Sequence, residues 1–185
     1  DLAPLWCGEC FLGWMPQDRA NLLANELPEC RWMDGKLLWD AFDWNEHRRR
    51  DTLQSLLVQH KTRGLLTGWR DERFSFWHAD CENPQTAESP FLRVERSGFR
   101  YLGMVSHAVH INGFLPDGRL WCGRRSLSKA TDPGMLDNVA AGGLPSGEWI
   151  ANCAIRELGE EAGLMGVLAE ELVDAGFVRT ARYEP

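Results

Sequence analysis

The chain has no long hydrophobic run. Its longest apolar stretches are short and broken by charge or glycine, so nothing in it reads as a membrane span or a signal peptide. It also lacks a basic balance: the net charge of −7 argues against nucleic acid as a partner, and a phosphorylated substrate would have to be drawn in by local arginines and a metal. Paired cysteine motifs are missing. The six cysteines, at 7, 10, 30, 81, 122 and 153, are spread out, and the single Cys7-Gly8-Glu9-Cys10 has no second pair and no nearby histidines to make a zinc site. Without secretory features they read as reduced thiols of a cytoplasmic protein. There is no internal repeat and no low-complexity segment. What remains is ordinary for a globular protein: 185 residues, 44% hydrophobic and 25% charged, enough for one or two small domains with a real core. The nine tryptophans are unusual, and only Trp149 lies in the stretch that organises the chain.

That stretch is residues 142–164, GGLPSGEWIANCAIRELGEEAGL. A glycine turn leads to Glu148, where an acidic residue favours the positive end of a helix dipole. No proline or interior turn signal interrupts residues 149–162 apart from Gly159, and Gly163 sits where helices commonly stop. At helical spacing Ile150, Ala151, Ala154, Ile155 and Leu158 share an apolar arc. Glu157, Glu160 and Glu161 fall on the adjoining arc, at i, i+3 and i+4, where their side chains converge. Converging carboxylates repel one another, and a hard divalent cation such as Mg²⁺, which takes oxygen ligands, removes that repulsion. A solvated acidic face is the alternative for a glutamate-rich helix taken alone; the glycine turn and Arg156 set this one apart.

Gly142, Glu148, Arg156-Glu157-Leu158, Glu160-Glu161 and Gly163-Leu164 stand at the spacing of the signature box of the Nudix hydrolases, and the chain resembles that family at all nine fixed positions. The resemblance implies an α/β fold: an α/β/α sandwich with a mixed sheet. It further implies Mg²⁺ or Mn²⁺ held by Glu157, Glu160 and Glu161, with Gly142 lending its carbonyl. Glu160 would be the general base through a metal-bound water, Arg156 would orient a box glutamate, and Glu148 would make a supporting contact. Arg124 or Arg125 would bind phosphates; as strand neighbours they point to opposite faces, so one of them at most faces the site. His107 and His110 also fall on opposite faces of their strand; packing or hydrogen bonding is the alternative to substrate contact, for which His110 is the candidate.

Along the chain, residues 1–102 read as a small α+β domain and residues 103–185 as the Nudix domain. In the first, strands are expected at 11–15, 37–39 and 68–76, and helices at 17–27 and 51–62. The charge cluster Glu46-His47-Arg48-Arg49-Arg50 reads as a solvated face, residues 83–90 as a polar connection, and residues 93–101 as a strand or helical turn. In the second, a long strand at 105–115, a turn at 116–119, a returning strand at 120–125 and a strand at 138–141 lead into the box, with another strand at 172–178. A complete Nudix domain has more strands and a second helix, so the chain, ending at Pro185, is expected to be truncated.

Residues 68–72 (Gly-Trp-Arg-Asp-Glu), 110–114 (His-Ile-Asn-Gly-Phe), 124–126 and 133–138 resemble the Nudix branch associated with thiamine pyrophosphokinase, in which a distinct domain precedes the Nudix domain. This implies hydrolysis of thiamine diphosphate or its oxidised and analogue forms. A cationic thiazolium would suit an aromatic wall, for which the tryptophans are candidates, with core packing the alternative for any one of them. The alternatives are a Nudix hydrolase of another nucleoside-diphosphate compound, a nucleotide sugar or a dinucleotide, and a catalytically silent Nudix binding module. A homodimer is common among such relatives.

Overall fold

In the computed structural model, residues 1–77, 89–128 and 132–180 are described. The chain is α/β with a mixed sheet and divides into two compact units. One comprises Asp1–Ala108 and Gly143–Glu148, the other Val109–Gly142 and Trp149–Pro185.

The first unit is built on a four-stranded sheet of β1 (Leu2–Cys7), β2 (Cys10–Pro16), β3 (Cys30–Met33) and β4 (Lys36–Trp39), in the order β2-β1-β4-β3. β1 runs antiparallel to β2 and parallel to β4, and β3 is antiparallel to β4. Period-two alternation sends Ala3, Leu5 and Cys7 of β1 into the core. Helix α1 (Gln17–Glu26) contributes Ala20 and Leu23 to the same core, and α2 (Glu46–Thr62) contributes Leu53, Leu56 and Leu57. β5 (Arg73–Phe76) pairs antiparallel with β6 (Leu92–Glu95), and α3 (Arg96–Leu102) follows. The Cys7–Cys10 stretch is the turn of the β1–β2 hairpin, with Gly8 at φ 57. The five described cysteines are thiols. Burial pushes Cys7 up to about 11 and Cys30 up to about 12, which leaves both poor nucleophiles and poor ligands.

Three expectations for this unit need correction. Helix α2 starts at Glu46, five residues earlier than the apolar periodicity indicates, because Asn45 caps it by accepting from the Arg48 backbone N–H. The charge cluster is therefore the helix's first turn. It is not all solvated either: Arg49 is 7% exposed and donates to the carbonyls of Phe91, Ala41, Phe42 and Trp44. The strand expected over 68–76 is confined to Arg73–Phe76, since Gly68 and Asp71 take left-handed backbone (φ 75 and 56) that no strand accommodates. The connection expected at 83–90 lies mostly outside the described residues.

In the second unit the strands are short. β7 (Ala108–Ile111) pairs with β12 (Ala140–Gly143), β8 (Gly113–Phe114) with β9 (Leu120–Trp121), and β10 (Gly123–Arg124) with β11 (Leu136–Asp137). The turn expected at 116–119 closes the β8–β9 hairpin through Leu115 N–H to Arg119 O. The strands expected at 105–115 and 120–125 are each split, at Asn112 and at Cys122, because the halves serve different partners. Residues 172–178 form no strand; Val173 and Val178 are almost fully exposed, and among the described residues no strand lies alongside them. Among the described residues no helix is long and apolar enough to cross a membrane.

Candidate functional site

Helix α4 (Ile150–Ala162) carries the signature glutamates. Its first bond runs from Cys153 N–H to Trp149 O, and it stops where Gly163 turns left-handed at φ 66. The N–H groups of Gly163 and Leu164 both close on Leu158 O. Ala154 and Leu158 of the expected apolar arc are buried, whereas Ile150, Ala151 and Ile155 are only half-buried. Cys153 and Glu157 are buried in their place, so the inward face is rotated toward the glutamate side.

A buried carboxylate needs partners, and Glu157, 8% exposed, has Arg156 Nη1 at 2.6 Å from Oε1. The same nitrogen reaches Glu160 Oε2 at 3.3 Å, and Nη2 donates to Cys153 Sγ at 3.4 Å. One guanidinium thus offsets the repulsion between two glutamates. Glycine at 142 is a matter of space: a Cβ there would lie 1.9 Å from Glu157 Oε1 and 2.0 Å from its Cδ. The Glu157 carboxyl therefore rests directly on the Gly142 backbone. One residue earlier, the Ala141 N–H donates to Glu161 Oε2 at 3.0 Å. Strand β12 and helix α4 are tied at two successive residues by two different glutamates.

Gly142, Arg156, Glu157, Glu160 and Glu161 are thereby gathered. No group of three His, Cys, Asp or Glu side chains able to hold a metal is found among the described residues, and in this arrangement Arg156 holds two of the glutamates. The donor set is nonetheless of the right kind: hard carboxylate oxygens, one of them in a cradle that a Cβ on Gly142 would fill.

The other expected site residues have partners of their own. Arg124 Nη1 donates to Gly134 O at 2.7 Å. Arg125 Nη1 pairs with Asp137 Oδ2 at 2.9 Å and holds that carboxyl below its usual range. His110 Nδ1 lies 2.8 Å from Asn138 Oδ1, and the Asn138 amide donates in turn to Asn112. His107 meets Trp77 edge to face, with ring centroids 5.3 Å apart. Sequence reasoning missed the Ala141 amide, which has no side-chain signal. It also missed Cys153, whose i, i+3 spacing from Arg156 was there to be read.

An α/β segment in which a strand glycine seats a carboxylate of an Arg-Glu-Leu-x-Glu-Glu helix has the build of a Nudix domain. Residues 106–183 match the NUDIX domain family. The chain is 37% identical to Nudix hydrolase 24, chloroplastic, of Arabidopsis thaliana over 119 residues, 63% of this chain and 31% of that one. Similarity to Nudix hydrolase 20, chloroplastic, of the same plant is also 37% over 119 residues, covering 63% and 30%. An uncharacterized Nudix hydrolase of Pseudomonas aeruginosa is 36% identical over 84 residues, 45% of this chain and 50% of the other. The chain thus spans about a third of the length of the plant relatives it matches.

Proposed function

We propose that the protein is a Nudix diphosphohydrolase that cleaves the anhydride of a small diphosphate, thiamine diphosphate or its oxidised and analogue forms being the preferred class. The observation that carries this is the Glu157 carboxyl seated on Gly142 with Arg156 bound to both Glu157 and Glu160. Glu157, Glu160 and Glu161, with the Gly142 carbonyl, would hold Mg²⁺ or Mn²⁺, which supplies charge neutralisation at the diphosphate and lowers the pKa of water.

The chain's own residues do the rest. Glu160, 60% exposed at its side chain and so open to solvent, takes a proton from the attacking water at its carboxylate. The water oxygen bonds to the terminal phosphorus while the bridging P–O bond breaks, releasing the monophosphate and phosphate. Arg156 keeps Glu157 and Glu160 in place. Arg124 or Arg125 binds phosphate oxygens, and His110 contacts the substrate from its strand. A homodimer and a cytoplasmic location belong to the same reading; the plant relatives bear the word chloroplastic in their names.

Phosphate release in Mg²⁺ tests it, with thiamine diphosphate and its oxo and oxy analogues set against ADP-ribose and NADH. Selective release from the thiamine set is the expected result. Release only from the nucleotides discards the substrate class and keeps the chemistry, and silence on all leaves a binding module. Glu160→Gln is expected to remove nearly all turnover with the melting temperature unchanged; full turnover in that variant would remove Glu160 from the base role.

A further inference from the structure

The five positions between Gly142 and Glu148 carry no fixed residue in the signature, yet they are held firmly. Leu144 is 5% exposed, and its N–H donates to His107 O at 2.9 Å. Pro145 bridges to Phe74 of β5 in antiparallel fashion. Ser146 N–H donates to Arg73 O at 2.7 Å, and Ser75 Oγ donates to Ser146 Oγ, also at 2.7 Å. Gly143 lies so close to the Phe74 ring that a Cβ would stand 2.4 Å from its Cζ. β5 thus has the β6 ladder on one side and the signature loop on the other.

Ser75 is 3% exposed. A hydroxyl so deeply buried is costly unless bonded, and the Ser146 hydroxyl accepts its hydrogen bond. In sequence, the loop runs directly from Gly142, the seat of the Glu157 carboxyl, to Trp149, which accepts the first bond of α4. Fixing its middle limits where both ends can go.

We infer that Ser75 and Ser146 form a clasp by which the strand ahead of the Nudix domain positions the signature loop, and through it the carboxylate set, for turnover. Both are positioning residues; neither touches substrate. The inference rests on the hydrolase reading given above.

The test compares Ser75→Ala, Ser146→Ala, the double variant and Ser146→Thr, which keeps the hydroxyl, in the intact protein. Steady-state kinetics, amide hydrogen exchange and Mn²⁺ binding are read for each. A misplaced carboxylate set slows chemistry more than binding, so each single alanine variant should lower kcat about tenfold with KM little changed. The double variant should lose no more than either single, and Ser146→Thr should recover most of the loss. Exchange should quicken within residues 143–148 and stay unchanged in α2. Unchanged kcat in both single variants, or unchanged exchange across 143–148, overturns the clasp. So does a loss in the double variant that equals the product of the single losses. If the unsubstituted protein hydrolyses no diphosphate, the hydrolase reading fails and Mn²⁺ decides. Affinity weaker by about tenfold in both single variants then supports the positioning role, and equal affinity overturns it.

Discussion

A methyl group at position 142 would sit 1.9 Å from a carboxylate oxygen of Glu157, so Gly142→Ala must either turn that side chain away or shift the backbone that carries it. Either way the carboxyl leaves its seat on the Gly142 backbone, and phosphate release should fall by about a hundredfold. Because the clash is with the end of a side chain, the melting temperature should move by only a few degrees. Wild-type turnover in Gly142→Ala would show that the seat is not needed. Arg156 allows a complementary substitution. Arg156→Lys keeps one charge but cannot span Glu157, Glu160 and Cys153 as a planar fork does. It should therefore lose turnover while binding Mn²⁺ at least as tightly, since repulsion between the glutamates grows; weaker Mn²⁺ binding would contradict that account. The fixed residues were legible in the sequence because signature spacing names them. Their reasons were not. Nothing in the letters shows that the Glu157 carboxyl needs the space left by glycine, or that Ser75 meets Ser146 across 71 positions.

Between elements, the helices of the first unit are joined by a chain of polar contacts. Buried His60 of α2 lies 2.7 Å from Glu26 Oε2 of α1 and 2.9 Å from the Tyr101 hydroxyl of α3, while Arg63 binds the other Glu26 oxygen at 2.6 Å. Arg63 first, then His60, holds the Glu26 carboxyl below its usual range. A depressed carboxylate pKa contributes stability that is complete above the unfolded value of about 4.3 and is lost as pH falls through the lower folded value. The urea midpoint of the wild type should therefore fall more steeply with acidification in that window than that of Glu26→Gln; parallel curves would remove Glu26 as the cause. Arg49 gives a test at neutral pH. Arg49→Met keeps the apolar stem but leaves the four carbonyls it serves short of a donor, at a cost of about 2–4 kcal/mol in urea unfolding. A change within the measurement error would mean that water replaces the guanidinium. Elements showed unevenly in the sequence. Apolar periodicity marked α1, α4 and most of α2, but the first turn of α2 is wholly charged or polar and carries no such mark. Strands were legible at 105–115 and 120–125, but not the splitting of each between two partners.

For the molecule as a whole, core and signature are unequally shared. The contiguous apolar cluster runs from Ala3 to Met104, all of it in the first unit. Among the described residues, the second unit buries only Val109, Ala140, Cys153, Ala154 and Leu158 among its apolar side chains, and leaves Phe114, Trp121, Leu127, Leu136 and Met165 exposed. So small a buried set cannot offset the entropy of ordering that length of chain. Composition and the change of pattern near residue 103 make a cut there look natural. They do not show that Gly143–Glu148 clusters with the first unit, held by β5. A fragment of residues 103–185 keeps every fixed signature residue and loses Arg73, Phe74 and Ser75. It should show no cooperative thermal transition and no phosphate release on any substrate that the intact chain cleaves, with Mn²⁺ binding weakened as well. A fragment that melts cooperatively and turns over like the intact chain would show that the strand ahead of the domain is dispensable. Adding back residues 68–102 should restore neither property, because β5 and β6 would return without α2, which packs against β6, and without the rest of the apolar cluster. Recovery should come only with the whole of residues 1–102.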